Sequence, residues 1–466
     1  MQKSIINVLK DTSIYTLGGF LSKIISFIVV IFYTHLIDPM DMGAFGYISV
    51  IFGVLNCFVV LGGDNAYARY YFEYKELEEK KVLTTTWFSF LFIWSLISII
   101  IPLFFYKQIS FFLFETNKYD LAFITALLIL PIQLLSTLLN QALRNQFKVK
   151  LYTIFNLLNT ILGILISIFL LVYPKLGIAS LFLGSLFGIS FLLPFKIYAI
   201  KNLITLKLDL SILKNLLKYG LPFVPASISY WIFSSTDRIM LEYMTSLKSV
   251  GIYTIAANFS SILAILSFSI GEAWTPHAVN IYETDKEKAR FIFSEFFSII
   301  IFICGSFLFF TGILGKEFFL LFINEKYHTS FLPMMILMIG ISFQVTTQVT
   351  ACGISLSKKT KYFMYITFGV SMLNIGLNYI LIPNYAEIGC SIATAISYLV
   401  LTLIYYNISQ KFFRINYNFK MIIIFIILII LSLIVIDFNI IVKIIFLLFY
   451  FLFTYFCVYK YKIIRF

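Results

Sequence analysis

Fourteen apolar stretches of roughly 20 residues or more run through this chain, each long enough to cross a hydrocarbon core of about 30 Å. Six lie between residues 12 and 200, six between 216 and 407, and two at 419–436 and 440–459. In lipid such segments must pair their own backbone groups, which makes each a helix. The expected fold is therefore all-α, a polytopic membrane protein with about 14 transmembrane helices. Composition agrees: 61% of the residues are apolar and 12% charged, where a soluble domain has about 25% charged. The first stretch is too long for a cleaved leader, and Thr34-His35-Leu36 offers no small-x-small cleavage site.

The second half of the chain repeats the first. Gly43-Ala44-Phe45 is matched by Gly251-Ile252-Tyr253, Gly63-Asp64 by Gly271-Glu272 and Arg69 by His277, all at a shift of 208. Lys150 finds Lys361, Pro174 finds Pro383 and Gly177 finds Gly389, at shifts of 211, 209 and 212. With an even number of spans per copy, the repeats are parallel, and paired bundles of this kind serve alternating access. The expected organisation is a six-helix bundle at 1–200, a cytoplasmic linker at 201–215, a second six-helix bundle at 216–410 and a two-helix extension at 411–466.

The net charge of +13 suggests nucleic acid, and the placement of the charge argues against it. With the N-terminus inside, the inner segments hold 26 of the 35 Lys and Arg residues, the outer loops 7, and Lys23 and Arg238 lie within spans. This bias puts both termini in the cytoplasm and marks the inner surface as a contact for anionic membrane lipids. The five cysteines (Cys57, Cys304, Cys352, Cys390, Cys457) are scattered among separate apolar segments, with no metal-site or disulfide spacing. Three histidines without H-E-x-x-H spacing argue against a catalytic metal, and no G-x-x-x-x-G-K-[ST] run marks a nucleotide site. No cofactor is expected.

Polar residues inside the spans are the candidates for function. In span 1, Thr12, Thr16, Gly19, Lys23 and Ser26 recur at spacings of 4, 3, 4 and 3, one narrow stripe on an apolar helix. Lys23 lies near the midplane, where a lysine costs about 2.5–3.5 kcal/mol on insertion scales. It has no acid three or four residues away. It either lines a cavity for an anionic substrate or pairs with an acid on a neighbouring helix. In span 7, Ser227, Tyr230, Ser234 and Asp237 recur at 3, 4 and 3, with Arg238 beside them. Arg238 either meets substrate or pairs with Glu242 at i+4. Pro225, deeper in the span than Pro222, is a hinge candidate, or simply a packed kink.

Span 2 carries Ser49, Gly53 and Asn56 and ends at Asp64; span 8 carries Asn258, Ser261 and Ser269 and ends at Glu272. Asp64 and Glu272 are candidates for gating or ion coupling, with Arg69 and His277 as partners, or else ordinary charges at helix ends. Gln344, Gln348, Thr367, Ser371, Asn374 and Asn378 read first as hydrogen-bonding glue between helices.

Thr16-Leu-Gly-Gly-Phe20, Ile37-Asp-Pro-Met40, Gly43-Ala-Phe-Gly-Tyr47, Gly220-Leu-Pro222, Ser234-Ser-Thr-Asp-Arg238 and Gly251-Ile-Tyr253 resemble bacterial polysaccharide transporters. The match is to the Wzx-type O-antigen and capsule-repeat flippases of the multidrug/oligosaccharidyl-lipid/polysaccharide exporter superfamily. That resemblance implies a multi-pass protein of the bacterial inner membrane, a transporter and not an enzyme. Its substrate would be a polyprenyl-diphosphate-linked oligosaccharide, turned from the inner to the outer leaflet by alternating access. It implies coupling to an ion gradient, H+ or Na+, and polysaccharide assembly proteins as partners. Lys23, Ser26, Asn56, Tyr230, Ser234, Asp237 and Arg238 would then bind substrate, and Asp64, Arg69, Glu242, Glu272 and His277 would gate or couple. Three other readings compete, and the repeat and the midplane Lys23 speak against one of them, a non-transporting membrane scaffold. A cation-coupled multidrug antiporter would need an acidic pocket, for which Asp64, Asp237 and Glu272 are available. A polysaccharide polymerase or glycosyltransferase would carry a large outer loop with catalytic residues, whereas the longest outer loop here runs only from 107 to 120.

Overall fold

The computed structural model describes residues 2–357, 359 and 361–455. Every regular element among them is a helix. They form two compact units, residues 2–242 with 246–251, and 243–245 with the described residues from 252 onward. The division falls beyond the 201–215 linker that was expected to separate the halves, so the span-7 helix groups with the N-terminal unit. The reason is local. Trp231 of that helix donates its indole N–H to the Val50 carbonyl at 3.0 Å and packs over Gly53.

In the N-terminal unit, α1 (Gln2–Leu36) and α2 (Pro39–Val60) are followed by α3 (Gly63–Glu73). Leu61 and Gly62 are both left-handed, with φ of 53° and 65°, and they break the span between α2 and α3. Next come α4 (Leu77–Phe104), the short α5 (Tyr106–Phe114), α6 (Asp120–Asn145), α7 (Val149–Val172) and α8 (Ala179–Ala199). The linker leads into α9 (Leu210–Gly220), capped by Asp209, whose carboxylate accepts from the Ser211 hydroxyl and the Ser211 and Ile212 backbone N–H groups. Those bonds, the Ser211 hydroxyl first, hold the Asp209 carboxyl below the usual range. A single turn of 3-10 helix at Leu221–Phe223 then joins α9 to α10 (Val224–Met244).

At that turn the Gly220 backbone crosses the Leu61–Gly62 break. A Cβ on Gly62 would lie 2.3 Å from the Gly220 carbonyl oxygen, and one on Gly220 2.6 Å from that of Leu61. The interruption of span 7 is therefore at 221–223. Pro225 sits just inside the start of α10, where a missing N–H leaves no intrahelical bond unmade. The apolar core of this unit gathers Tyr67, Trp87, Leu91, Leu138, Leu143 and Leu216 from α3, α4, α6 and α9.

The chain continues through α11 (Leu247–Thr284) and α12 (Lys286–Phe322) into α13 (Phe331–Thr350), α14 (Cys352–Leu356) and α15 (Lys361–Phe412). Helix α15 is two helices joined at Ala386, whose φ of 45° and ψ of −125° turn the chain. Buried amides tie its halves: Asn378 donates to Asn374, and Asn374 to the Ser397 hydroxyl at 3.1 Å. The two-helix extension, α16 (Phe419–Ile434) and α17 (Ile440–Tyr455), packs on α12 around Phe309, Ile313, Leu428 and Tyr450.

Eleven helical segments among the described residues are long and apolar enough to span a bilayer. One of them is the double helix α15, and a shorter apolar helix, Ile441–Phe451, lies within α17. Helix starts repeat as the sequence does. Pro39 and Leu247 are separated by 208 residues, Leu77 and Lys286 by 209, Asp120 and Phe331 by 211, and Val149 and Lys361 by 212.

Two lysines counted as loop charges are wholly buried. Lys196 of α8 donates to the Ser136 hydroxyl at 2.6 Å, and Lys443 of α17 donates to Glu317 at 2.6 Å. Both lie within a turn or so of a helix end, where pattern alone does not separate a snorkelling lysine from a packed one.

Candidate functional site

Within the N-terminal unit, α1, α2, α6, α7 and α8 enclose a cavity of about 580 Å³. Small residues build it. Gly163 and Gly184 let α7 and α8 touch, since a Cβ on Gly184 would lie 2.5 Å from the Gly163 carbonyl oxygen. Gly18 lets α1 reach Thr153 of α7. The helices meet along these contacts and stand apart between them.

The α1 face toward the cavity presents Ser26 and Tyr33, seven residues apart on one stripe. From α2 come Ser49 and Asn56, and from α6 comes Gln133. Helix α7 supplies Asn159, Thr160 and Ser167, and α8 supplies Ser185. Phe45, Phe52 and Phe182 add ring surface. None of the described lining residues is charged. The Tyr33 hydroxyl bonds Ser167. The Asn159 Oδ1 is buried with no hydrogen-bond partner.

Of the expected binding residues, the structure brings Ser26 and Asn56 together in this cavity. Lys23 is exposed and lies three residues before Ser26 on the same helix face, about 4.5 Å along the axis. Thr12 and Thr16 of that stripe fall outside the described side chains. The α10 residues do not line the cavity. Tyr230 is 67% exposed, and Ser234, also exposed, donates to the Trp231 carbonyl at 3.3 Å. Asp237 is buried and accepts from the Arg238 backbone N–H at 2.8 Å. The Arg238 Nε is buried with no hydrogen-bond partner.

Two expected pairings are replaced by others. Glu242 hydrogen-bonds the Tyr47 hydroxyl of α2 in place of Arg238. Arg69 lies 3.9 Å from Glu73 and 4.8 Å over the Tyr219 ring, away from Asp64. Five residues separate Asp64 and Arg69 on α3, which puts them on different faces. Asp64 instead sits in the first turn of α3, with one carboxylate oxygen buried and unpartnered, and its backbone carbonyl accepts from Gln141 at 2.6 Å. His277 is exposed on α11, and Glu272 lies outside the described side chains.

Sequence reading missed the α6, α7 and α8 walls. The signal was present in α7: Asn156, Thr160, Gly163 and Ser167 recur at spacings of 4, 3 and 4, the same stripe logic that singled out α1.

The chain was compared with known proteins. Residues 8–282 match the family described as "Polysaccharide biosynthesis protein", and residues 222–380 match the MatE family. No curated protein matches by sequence. Among solved structures, the lipid II flippase MurJ in an inward closed conformation superposes with a TM-score of 0.76 at 18% identity, covering 97% of this chain and 99% of that one. An inward-facing multidrug resistance MATE family transporter of the MOP superfamily gives 0.64 at 15% identity, over 84% and 94% of the two chains. A MOP superfamily transporter from Pyrococcus furiosus gives 0.57 at 15% identity, over 87% and 95%. With a fold shared by these transporters and a family match that spans more than half its length, the chain belongs to the polysaccharide biosynthesis protein family.

Proposed function

We propose that this protein is a flippase of the Wzx type in the bacterial inner membrane. It carries a polyprenyl-diphosphate-linked oligosaccharide, an O-antigen or capsule repeat unit, from the inner to the outer leaflet by alternating access. The observation that carries this reading is the polar cavity inside an otherwise apolar helix bundle, with Lys23 one turn from its wall. A sugar cannot cross about 30 Å of hydrocarbon without replacements for its water hydrogen bonds, and such a cavity offers them. The diphosphate needs cations, and Lys23 is placed to supply one. Arg238 is the second, because a guanidinium donor without a protein partner suits a phosphate oxygen.

Coupling to H+ or Na+ through Asp64 belongs to the same proposal, as do contacts of the inner lysines with membrane lipids and of the protein with polysaccharide assembly partners. The antiporter reading is less well served. A cationic drug would find no acid among the described residues lining the cavity.

The test is complementation of a strain lacking its own flippase, scored by surface glycan. Lys23→Ala and Arg238→Ala are each expected to cut export at least about tenfold at unchanged protein level, the loss of a charge-assisted phosphate contact. Full export by both variants removes the cation requirement. Rescue of drug resistance without glycan supports the antiporter.

A further inference from the structure

A second cavity, of about 910 Å³, lies wholly within the C-terminal unit. It is a cleft with a floor and two walls. Helices α12 and α13 pack on each other as the floor, and α16 lies along α12 around Phe309 and Leu428. The second half of α15 lies along α13, where the Thr402 hydroxyl donates to the Phe343 carbonyl at 2.9 Å. The two walls are thus tied to different floor helices, and half-exposed Leu403 and Ile426 mark the opening between them.

The cleft is graded from apolar to polar. Leu399, Leu403, Tyr406, Asn407 and Gln410 follow one another on a single face of α15. The eleven residues from Leu399 to Gln410 cover about 16 Å, close to half of a hydrocarbon core of about 30 Å and so to one leaflet. Phe343 and Phe425, edge to face at 5.7 Å, line the apolar part. The other end is cationic. Gln410 fixes the 413–418 connection by accepting from the Ile415 N–H at 2.9 Å and donating to its carbonyl at 2.8 Å. Arg414 is thereby held at the mouth, beside Asn407 and Asn416. It has no acid partner among the described residues, and no Asp or Glu occurs anywhere from 388 to 436. Thr350, also on the cleft, is 2% exposed and its hydroxyl has no hydrogen-bond partner. The Gly353 N–H bonds the Ser409 hydroxyl at 2.7 Å, which puts Thr350 about one turn inside the mouth.

We propose that this cleft binds one anionic glycerophospholipid, from the leaflet that the charge bias assigns to the cytoplasmic side. The proposal goes beyond the flippase reading and does not depend on it. The phosphate meets Arg414, with the Asn407 and Asn416 amides for the headgroup oxygens. One acyl chain follows the α15 face to Leu399. In a glycerolipid an ester carbonyl lies just inside the phosphate, where the Thr350 hydroxyl can donate to it. A polyprenyl diphosphate has no ester, and its chain is longer than one leaflet is thick.

The full chain is reconstituted in phosphatidylcholine vesicles with one of two probes, phosphatidylglycerol or phosphatidylcholine, each carrying the same photoreactive acyl chain. Labelled peptides are located by mass spectrometry. Phosphatidylglycerol is expected to label the α15 and α16 walls at least about tenfold more than phosphatidylcholine does, and the outward face of α7 less than about twofold more. Arg414 is exposed, so Arg414→Gln is not expected to disturb the fold. It is expected to cut the phosphatidylglycerol label about fivefold, the loss of one basic contact with an anionic lipid, and to leave the phosphatidylcholine label unchanged. Leu403→Trp, at a half-exposed position, fills the cleft and is expected to remove the label there while the α7 label stays. Equal labelling of the cleft by the two probes overturns the proposal, as does an Arg414→Gln variant that labels like the unmodified protein. Displacement of the cleft label by equimolar polyprenyl phosphate also overturns it, and gives the cleft to a polyprenyl tail. None of these readouts measures export, so each of these failures leaves the flippase reading standing.

Discussion

At the scale of single residues, charge inside the helices decides what the fold can tolerate. Lys443 is wholly buried and holds its place by donating to Glu317, while the neighbouring Lys316 pairs with Asp437. Both contacts fasten the two-helix extension to α12. Removing the lysine alone would leave a carboxylate facing an apolar wall. Lys443→Met is expected to destabilise the protein by about 2 kcal/mol, less than a fully buried pair because Glu317 is one-third exposed. The double variant Lys443→Met, Glu317→Met is expected to recover part of that loss. Melting of the two single variants and the double gives the coupling. Strictly additive losses would show that the pair contributes nothing. The sequence hid this contact, because 126 residues separate the partners and Lys443 read as an outer-loop charge.

Among elements, the repeat shows its purpose in one crossing. Gly43 of α2 and Gly251 of α11 hold equivalent places in the two copies. In the structure they also touch. A Cβ on Gly43 would lie 1.8 Å from the Leu247 carbonyl oxygen, and one on Gly251 1.8 Å from that of Pro39. The obstacle is backbone on both sides, so no side chain can swing away. Gly43→Val and Gly251→Val are each expected to force the helices apart and lower the melting temperature by several degrees, since overpacking costs about 1–3 kcal/mol. Gly19→Val is the control, because nothing lies within 4 Å of its Cβ position. Equal melting of all three variants would refute the close crossing. The sequence marked both glycines as repeat mates, but periodicity carries no information about which helix a small residue meets.

For the whole molecule, the distribution of charge predicts orientation. The excess of Lys and Arg on one set of connections, 26 to 7 by sequence and 25 to 6 once the buried Lys196 and Lys443 are set aside, predicts 201–215 inside and 107–120 outside. Cysteines introduced at Lys207 and Asn117, both exposed, report this directly in a variant lacking its native thiols. A membrane-impermeant thiol reagent is expected to label position 117 on intact cells and position 207 only after the cells are opened. The reverse pattern would invert the topology and, with it, the direction of export.

The chain by itself determined its solvent, its helices and their repetition. Each follows from local rules: a run of apolar residues long enough for the bilayer, a 3.6-residue stripe, a fixed shift between copies. Ser26 and Asn56 were legible as cavity residues for the same reason. What only the tertiary structure decided was partnership. Glu242 found Tyr47, Arg69 found Glu73 and Tyr219, and Asn159 was left with an acceptor that no neighbour meets. Hydrogen bonds and backbone crossings depend on separations of a few ångströms between residues far apart in the chain, and a one-dimensional pattern does not encode those distances.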